Sequence, residues 1–293
     1  GSIAGGSGTD TFVLTGTGSG SFDLSSQSGF EILDVTGGDW TLSGNGVFET
    51  VNLVSGSLTL AAGATLDATS TASTDVALGT TYNVSGTHTE SGTTTVAGAL
   101  NILSGGLYTT SGATVIDGGT LSIADGSTFT STDASGIAGS AGVDTLILAG
   151  TLTLATPSGS FAVDLGDGSD VFSLSATGSI NQALTLGAGD DTFDLTTGVT
   201  LSQVVDGGAD TDTLNLTGSG TGFLDLTNIT SFEVLGKSGT GTWTLEGATT
   251  FESLTVSGGT LVLDTGASLT LTGSAGTTVD SGATYNVAGT HVH

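Results

Sequence analysis

The sequence has no cysteine and no methionine, a single proline (Pro157) and, besides three histidines, a single basic residue, Lys237. Without cysteine there are no disulfides, Fe–S clusters or thiol chemistry, so packing alone must hold the fold together. With one lysine and no arginine, the chain cannot neutralise a phosphate backbone, which excludes nucleic acid as a partner. Anionic membrane surfaces repel it for the same reason. It also offers trypsin-like proteases almost nothing to cut. No apolar run approaches the roughly 18 residues of a membrane-spanning helix, so direct membrane insertion of this chain is not expected. No signal peptide is visible at "GSIAGG". Gly1-Ser2 reads as a cloning scar, His293 as a tag residue, and the chain as an excised fragment.

Acids and glycine are abundant. The 28 acidic residues give a formal charge of −27, which makes cations the natural small partners. Hydrophobic residues make up 36% of the chain and the mean hydropathy is +0.31, too apolar for a disordered tail. Glycine supplies 51 of 293 residues, more than twice the usual share of about 7%. With only one proline beside them, these glycines mark turns in ordered structure rather than a Pro/Gly linker.

Internal repeats set the architecture. "LGDGSDVF" (165–172) returns as "LGAGDDTF" (186–193) and "GGADTDTL" (207–214). Across 162–216 this 21-residue step puts Asp170, Asp191 and Asp212 in one register and Phe172, Phe193 and Leu214 in another. A longer repeat relates 5–92 to 207–293 at an offset of 202–203. It places Trp243 on Trp40, Phe251 on Phe48, and "TYNVAGTH" (284–291) on "TYNVSGTH" (81–88). Within each unit, short alternating pieces such as "SLTL" (57–60) and "TLVL" (260–263) are separated by glycine turns, and no 3.6-residue period persists. Stacked coil on coil, such pieces make a right-handed parallel β-helix, all-β, with coils of about 18–21 residues. The expectation is one continuous solenoid over 1–293, about 14 coils and about 67 Å long. Phe172, Phe193 and Leu214 then form an inward column, and the Gly/Asp segments form the turns.

The stretch "FESLTVSGGTLVLDTGASLTLTGSAGTTVDSGATYNVAG" (251–289) resembles the passenger-domain repeats of Gram-negative autotransporters. That resemblance covers nearly the whole chain. It implies a β-helical adhesin type, secreted or held at the bacterial cell surface. Its implied partners are a receptor on a host or neighbouring cell, or like rods in self-association. A narrower resemblance is to the calcium-binding nonapeptide G-G-x-G-x-D-x-U-x, matched by "GGSGTDTFV" (5–13) and in part by 139–147, 165–173, 186–194 and 207–215. It implies calcium as the one candidate cofactor, with Asp10, Asp144, Asp167, Asp170, Asp190, Asp191, Asp210 and Asp212 as candidate ligands. Against this stands the plain reading of turn-capping aspartates, because the nonapeptides here are isolated and not in tandem.

The remaining candidates read as structural. His88 and His291 recur at equivalent places, which argues against catalysis, so both are expected to cap turns or lie at the surface. Trp40/Trp243, Tyr82/Tyr285, Phe30/Phe232 and Phe48/Phe251 could line a sugar-binding stripe, but their repetition suits inward stacking better. Phe22, Phe161 and Phe223 add to that core. Glu31, Glu49, Glu233 and Glu252 are expected to point outward, and Lys237 to pair with a surface acid. No catalytic residue is assigned. An extracellular adhesive or structural rod is the leading reading, with a calcium-stabilised secreted scaffold as the alternative. A polysaccharide-active β-helix enzyme would need a basic residue or a carboxylate pair in a cleft. No long loop interrupts the coils to form one.

Overall fold

A computed structural model describes residues 2–68, 73–155, 161–175 and 177–293; Pro157 lies outside them. The chain is a parallel β-solenoid of about 13 turns, 60% strand and 2% helix. Most turns carry three short strands, one on each of three faces. The first face runs through Thr11–Leu14, Ser73–Val76, Thr93–Val96 and on to Ile229–Thr230. The second contains Thr81–Val84, Ala99–Ile102 and Thr120–Ile123, and the third Thr87–Glu90, Leu107–Thr110 and Thr128–Ser131. Every pairing is parallel and nearly every strand alternates buried and exposed, so one side of each four-residue strand fills a common core. The two 3₁₀ turns, Leu24–Ser26 and Leu226–Asn228, occupy equivalent places in the two copies of the long repeat. Asp23 and Asp225 cap them, each accepting the amide two residues on at 3.0 Å.

The coil length varies more than the even spacing of the sequence suggested. Phe172, Phe193 and Leu214 are evenly stepped, but Thr81 meets Ala99 across a shorter turn and Thr151 meets Ser179 across a markedly longer one. The face strands stay short while the connections lengthen, so 293 residues make about 13 turns. Two longer strands, Ile32–Ser43 and Thr50–Leu60, turn a corner between the first and second faces. Glycine is required at that corner. Gly38 and Gly56 adopt φ of 78° and 87°, and a Cβ on Gly56 would lie 2.1 Å from the Gly38 carbonyl oxygen. The column Gly166–Gly187–Gly208 does the same at the Gly/Asp turns, where a Cβ on Gly187 or Gly208 would sit 1.8 Å from the carbonyl above.

The long repeat is out of phase with the turns. Nine successive pairings lead along the first face from Thr11 to Val205. The equivalent of Thr11–Leu14, however, is Thr213–Thr217, which sits one strand later on the second face. The repeat therefore advances by nine turns and one further face, so equivalent residues of its two copies occupy different faces.

Inward stacking accounts for most of the aromatic residues. Trp243, Tyr82, Phe48, Phe251, Phe172 and Phe193 are essentially inaccessible, while Phe30, Trp40 and Tyr285 are half-buried against the core, so among the described residues these aromatics form no exposed stripe. Phe172 and Phe193 stack with centroids 4.9 Å apart and planes 12° apart. Each tryptophan is in register with a glycine, Gly20 with Trp40 and Gly222 with Trp243, and a Cβ on either glycine would strike the indole. Phe223 is the exception. It alternates outward and is 48% exposed, in contrast to its expected place in the core.

Candidate functional site

The Gly/Asp turns build a ladder of aspartates inside the solenoid. Asp144, Asp170, Asp191 and Asp212 are buried. In each, Oδ1 accepts the backbone N–H of a residue one turn back. Asp191 takes the amide of Asp170 at 2.6 Å, Asp212 that of Asp191 at 2.8 Å, and Asp170 that of Asp144 at 2.7 Å. Asp144 closes one end on the amide of Gly118 at 2.7 Å, and Glu233 closes the other on the amide of Asp212 at 2.8 Å. The same rung recurs in the first copy of the long repeat, where Glu31 accepts the amide of Asp10 at 2.8 Å. Aspartate stands over aspartate because each amide entering the following strand has no backbone acceptor of its own. The carboxylate one turn on supplies it.

The second oxygen of the ladder behaves differently. Oδ2 of Asp10, Asp170, Asp191 and Asp212 is buried and has no hydrogen-bond partner, whereas that of Asp144 accepts from the Ser140 amide at 2.6 Å. Close glycine backbone walls it in; a Cβ on Gly207 would lie 2.7 Å from Asp212 Oδ2. Burial pushes Asp170 up to about 7, and the charges of Asp191, Asp144 and Asp164 add to this, against the opposing amide bond from Asp144. Burial also pushes Asp212 up to about 7, with Asp191, Glu233 and Asp190 adding to it. Asp191 and Asp144 move in the same direction for the same leading reason.

The eight aspartates of the calcium expectation thus divide into two sets. Asp144, Asp170, Asp191 and Asp212 face inward and Asp10 is half-buried. Asp167, Asp190 and Asp210 are exposed on the outer side of the turns. Asp190 accepts the Thr211 amide at 3.0 Å, and Asp210 holds φ of 80°. Among the described residues, no group of three or more His, Asp or Glu side chains is placed to hold a metal. A hard cation needs about 6–8 oxygens. The ladder commits one oxygen per residue to an amide and aims the other at glycine backbone, so its residues do not fit calcium.

A second buried polar cluster was not expected. His88 is fully buried, neither a turn cap nor a surface residue. Its ring lies over Tyr108 at 4.5 Å and 8°, and Tyr108 lies over Phe129 at 5.2 Å and 3°. Nδ1 is 2.8 Å from the Tyr82 hydroxyl and Nε2 is 3.3 Å from Thr74 Oγ1. Thr74 also donates to the buried Glu90, whose other oxygen accepts the Gly92 amide at 2.7 Å. Thr94 and Tyr108 share a further hydrogen bond of 2.8 Å. Burial raises both tyrosines well above the usual phenol range. The second copy repeats the contacts: Tyr285 and Thr277 flank His291 at 2.6 and 3.3 Å. The signal was present in "TYNVSGTHTE", where alternation puts His88 and Glu90 on the same side as Tyr82 and Val84.

Lys237 is likewise interior and pairs with no surface acid. Its Nζ donates to the carbonyls of Ser238, Gly239 and Gly258 at 2.6, 3.3 and 3.0 Å, and burial lowers its pKa. Glu31 and Glu233 are half-buried and bound to the ladder amides, while Glu49 and Glu252 point outward as expected. One shallow groove of about 340 Å³ lies beside Leu78, Thr80, Ala97 and Gly118, and it contains no titratable group. None of these clusters joins a reactive side chain to an open cleft. No known family model, curated protein or solved structure matches the chain.

Proposed function

We propose that the chain is a segment of an extracellular adhesive or structural rod, of the kind its resemblance to autotransporter passenger repeats implies. One observation carries the reading: a parallel β-solenoid of about 13 turns that carries a long internal repeat. A solenoid lengthens by adding units, which suits projection of a surface away from a cell. Because the repeat advances by nine turns and one face, successive copies turn equivalent surface residues to different sides, which suits multivalent contact. The absence of cysteine suits export by threading, which a disulfide formed beforehand would obstruct. Beads coated with the protein test the reading. Clumping of the beads, or their attachment to cells, is expected at a neutral pH and moderate salt. Beads that stay both dispersed and bare overturn the adhesive reading.

A further inference from the structure

The third face carries an ordered array of threonines. Four successive strands, Thr87–Glu90, Leu107–Thr110, Thr128–Ser131 and Thr151–Leu154, stack in parallel without a register shift. Their outward positions form two rows. One contains Thr87, Leu107, Thr128 and Thr151; the other contains Thr89, Thr109, Thr130 and Thr153. Seven of these eight positions are threonine and none is charged, in a protein of net charge −27. Outward positions on the other faces include Asp34, Asp39, Asp75 and Asp194, and on this face Asp67, in register with Thr89, marks the edge of the array.

The hydroxyls of this array are unengaged. On the other faces, outward polar groups bond to one another between turns: Asn52 to Asp34, Ser57 to Asp39, Asn101 to Asn83 and Asn215 to Asp194. The seven threonines make no side-chain hydrogen bond among the described residues. Each leaves a hydroxyl and a methyl facing solvent. Beneath the array, His88, Tyr108 and Phe129 occupy the inward positions between the rows. Their rings are parallel to within 8° and 3° at spacings of 4.5 and 5.2 Å. The resulting lattice repeats at about 4.8 Å along the rod and about 6.6 Å across a strand.

We propose that this face binds ice. The spacing along the rod lies close to the shorter oxygen repeat on a prism face of hexagonal ice, and the spacing across a strand is somewhat shorter than the longer one. Rigid hydroxyls at these spacings anchor ordered water, and the methyls between them favour water that is already caged. Charged side chains would break both, because each orients its own hydration shell, and the array contains none. This inference deepens the rod reading and rests on it only in requiring that the face meet water outside the cell. A protein that clumps beads but ignores ice fails this inference alone.

The test is slow growth of ice on a cooled probe in a dilute solution of the protein. The wild type should enter the ice several-fold above a non-binding control protein. Thr130→Tyr, which raises a ring from the middle of the array, should fall to the control level with an unchanged far-UV spectrum. Thr95→Tyr, on the first face, should remain at the wild-type level. Wild-type protein that stays in the liquid overturns the proposal, as does ice binding that survives Thr130→Tyr. Attachment to cellulose or chitin that Thr130→Tyr abolishes, with ice ignored, would assign the face to a glycan and overturn it equally.

Discussion

Two stretches of the same solenoid fill their interiors in different ways. Between Asp144 and Glu233, a carboxylate accepts one amide per turn and stacked Phe172 and Phe193 pack behind it. Between Thr74 and Phe129, His88, Tyr108 and Phe129 stack while threonine hydroxyls, Tyr82 and Glu90 satisfy one another. The first arrangement is periodic, and its unit is a single residue type at a fixed step. The second is a single cluster assembled from five residue types that meet across neighbouring turns. In both stretches, buried polar side chains bond within their own turn or to an adjacent one, and the ladder leaves one oxygen of Asp170, Asp191 and Asp212 without a partner.

The largest expected effects come from removing the rings. Phe193→Ala opens a hole between two turns of the ladder stretch and should lower stability by about 3–5 kcal/mol in urea unfolding. His88→Ala strips partners from Tyr82 and Thr74 and leaves the Glu90 cluster incomplete. An unsatisfied buried group costs roughly 1–3 kcal/mol, so His88→Ala should rival Phe193→Ala. A near-neutral His88→Ala would show that the cluster contributes only as filler.

Next comes the ladder itself. Asp191→Ala removes the acceptor for the Asp170 amide and should lower stability by about 1–3 kcal/mol. Asp191→Asn keeps an acceptor and should be much milder. Equal losses in the two variants would mean that charge, and not the amide bond, holds the rung.

The pH dependence separates the two stretches. Asp170 and Asp212 have folded pKa values of about 7, above the unfolded value of about 3.9. A raised carboxyl pKa means that the fold prefers the protonated form. The stability it contributes is complete below about pH 4 and is lost as the pH rises through about 7. The net charge of −27 acts in the same direction through general repulsion. The decisive comparison is therefore between two double variants that each replace two aspartates by asparagine. Asp170→Asn with Asp212→Asn should flatten the decline in melting temperature between pH 5 and pH 8. Asp167→Asn with Asp190→Asn, on the outer side of the turns, should leave its slope nearly intact. Identical slopes would remove the ladder as the source.

How much was legible follows from the same contrast. The even step at Asp170, Asp191 and Asp212, with Phe172 over Phe193, is enough to specify a solenoid. A strict period leaves that imprint because each turn must meet the next in register. His88 and Lys237 defied expectation because polarity argues for the surface while alternation argues for the core, and alternation prevails. In "TYNVSGTHTE" the inward positions are occupied by groups that satisfy one another, and nothing local reports the partner Thr74, 14 residues away from His88. Alternation also puts the ladder aspartates on the inward side. It does not reveal that they serve amides one turn back, since that depends on the stacking.

The smallest expected effect concerns calcium. Asp191 gives Oδ1 to the Asp170 amide and buries Oδ2 against backbone, and Asp170 and Asp212 do likewise. To enclose a cation, each would have to surrender its amide bond and turn outward through glycines packed against the neighbouring carbonyls. Millimolar calcium should therefore change the melting temperature no more than sodium at matched ionic strength, because both screen a charge of −27. Ligand linkage would yield about 2.7 kcal/mol at a hundredfold excess over Kd, a shift of several degrees that a thermal scan resolves readily. A calcium-specific rise abolished by Asp191→Asn would mean that the ladder opens to take the ion. A rise that survives Asp191→Asn but disappears in Asp190→Asn would place the ion on the outer side of the turns, with Asp167 and Asp210, and leave the ladder intact.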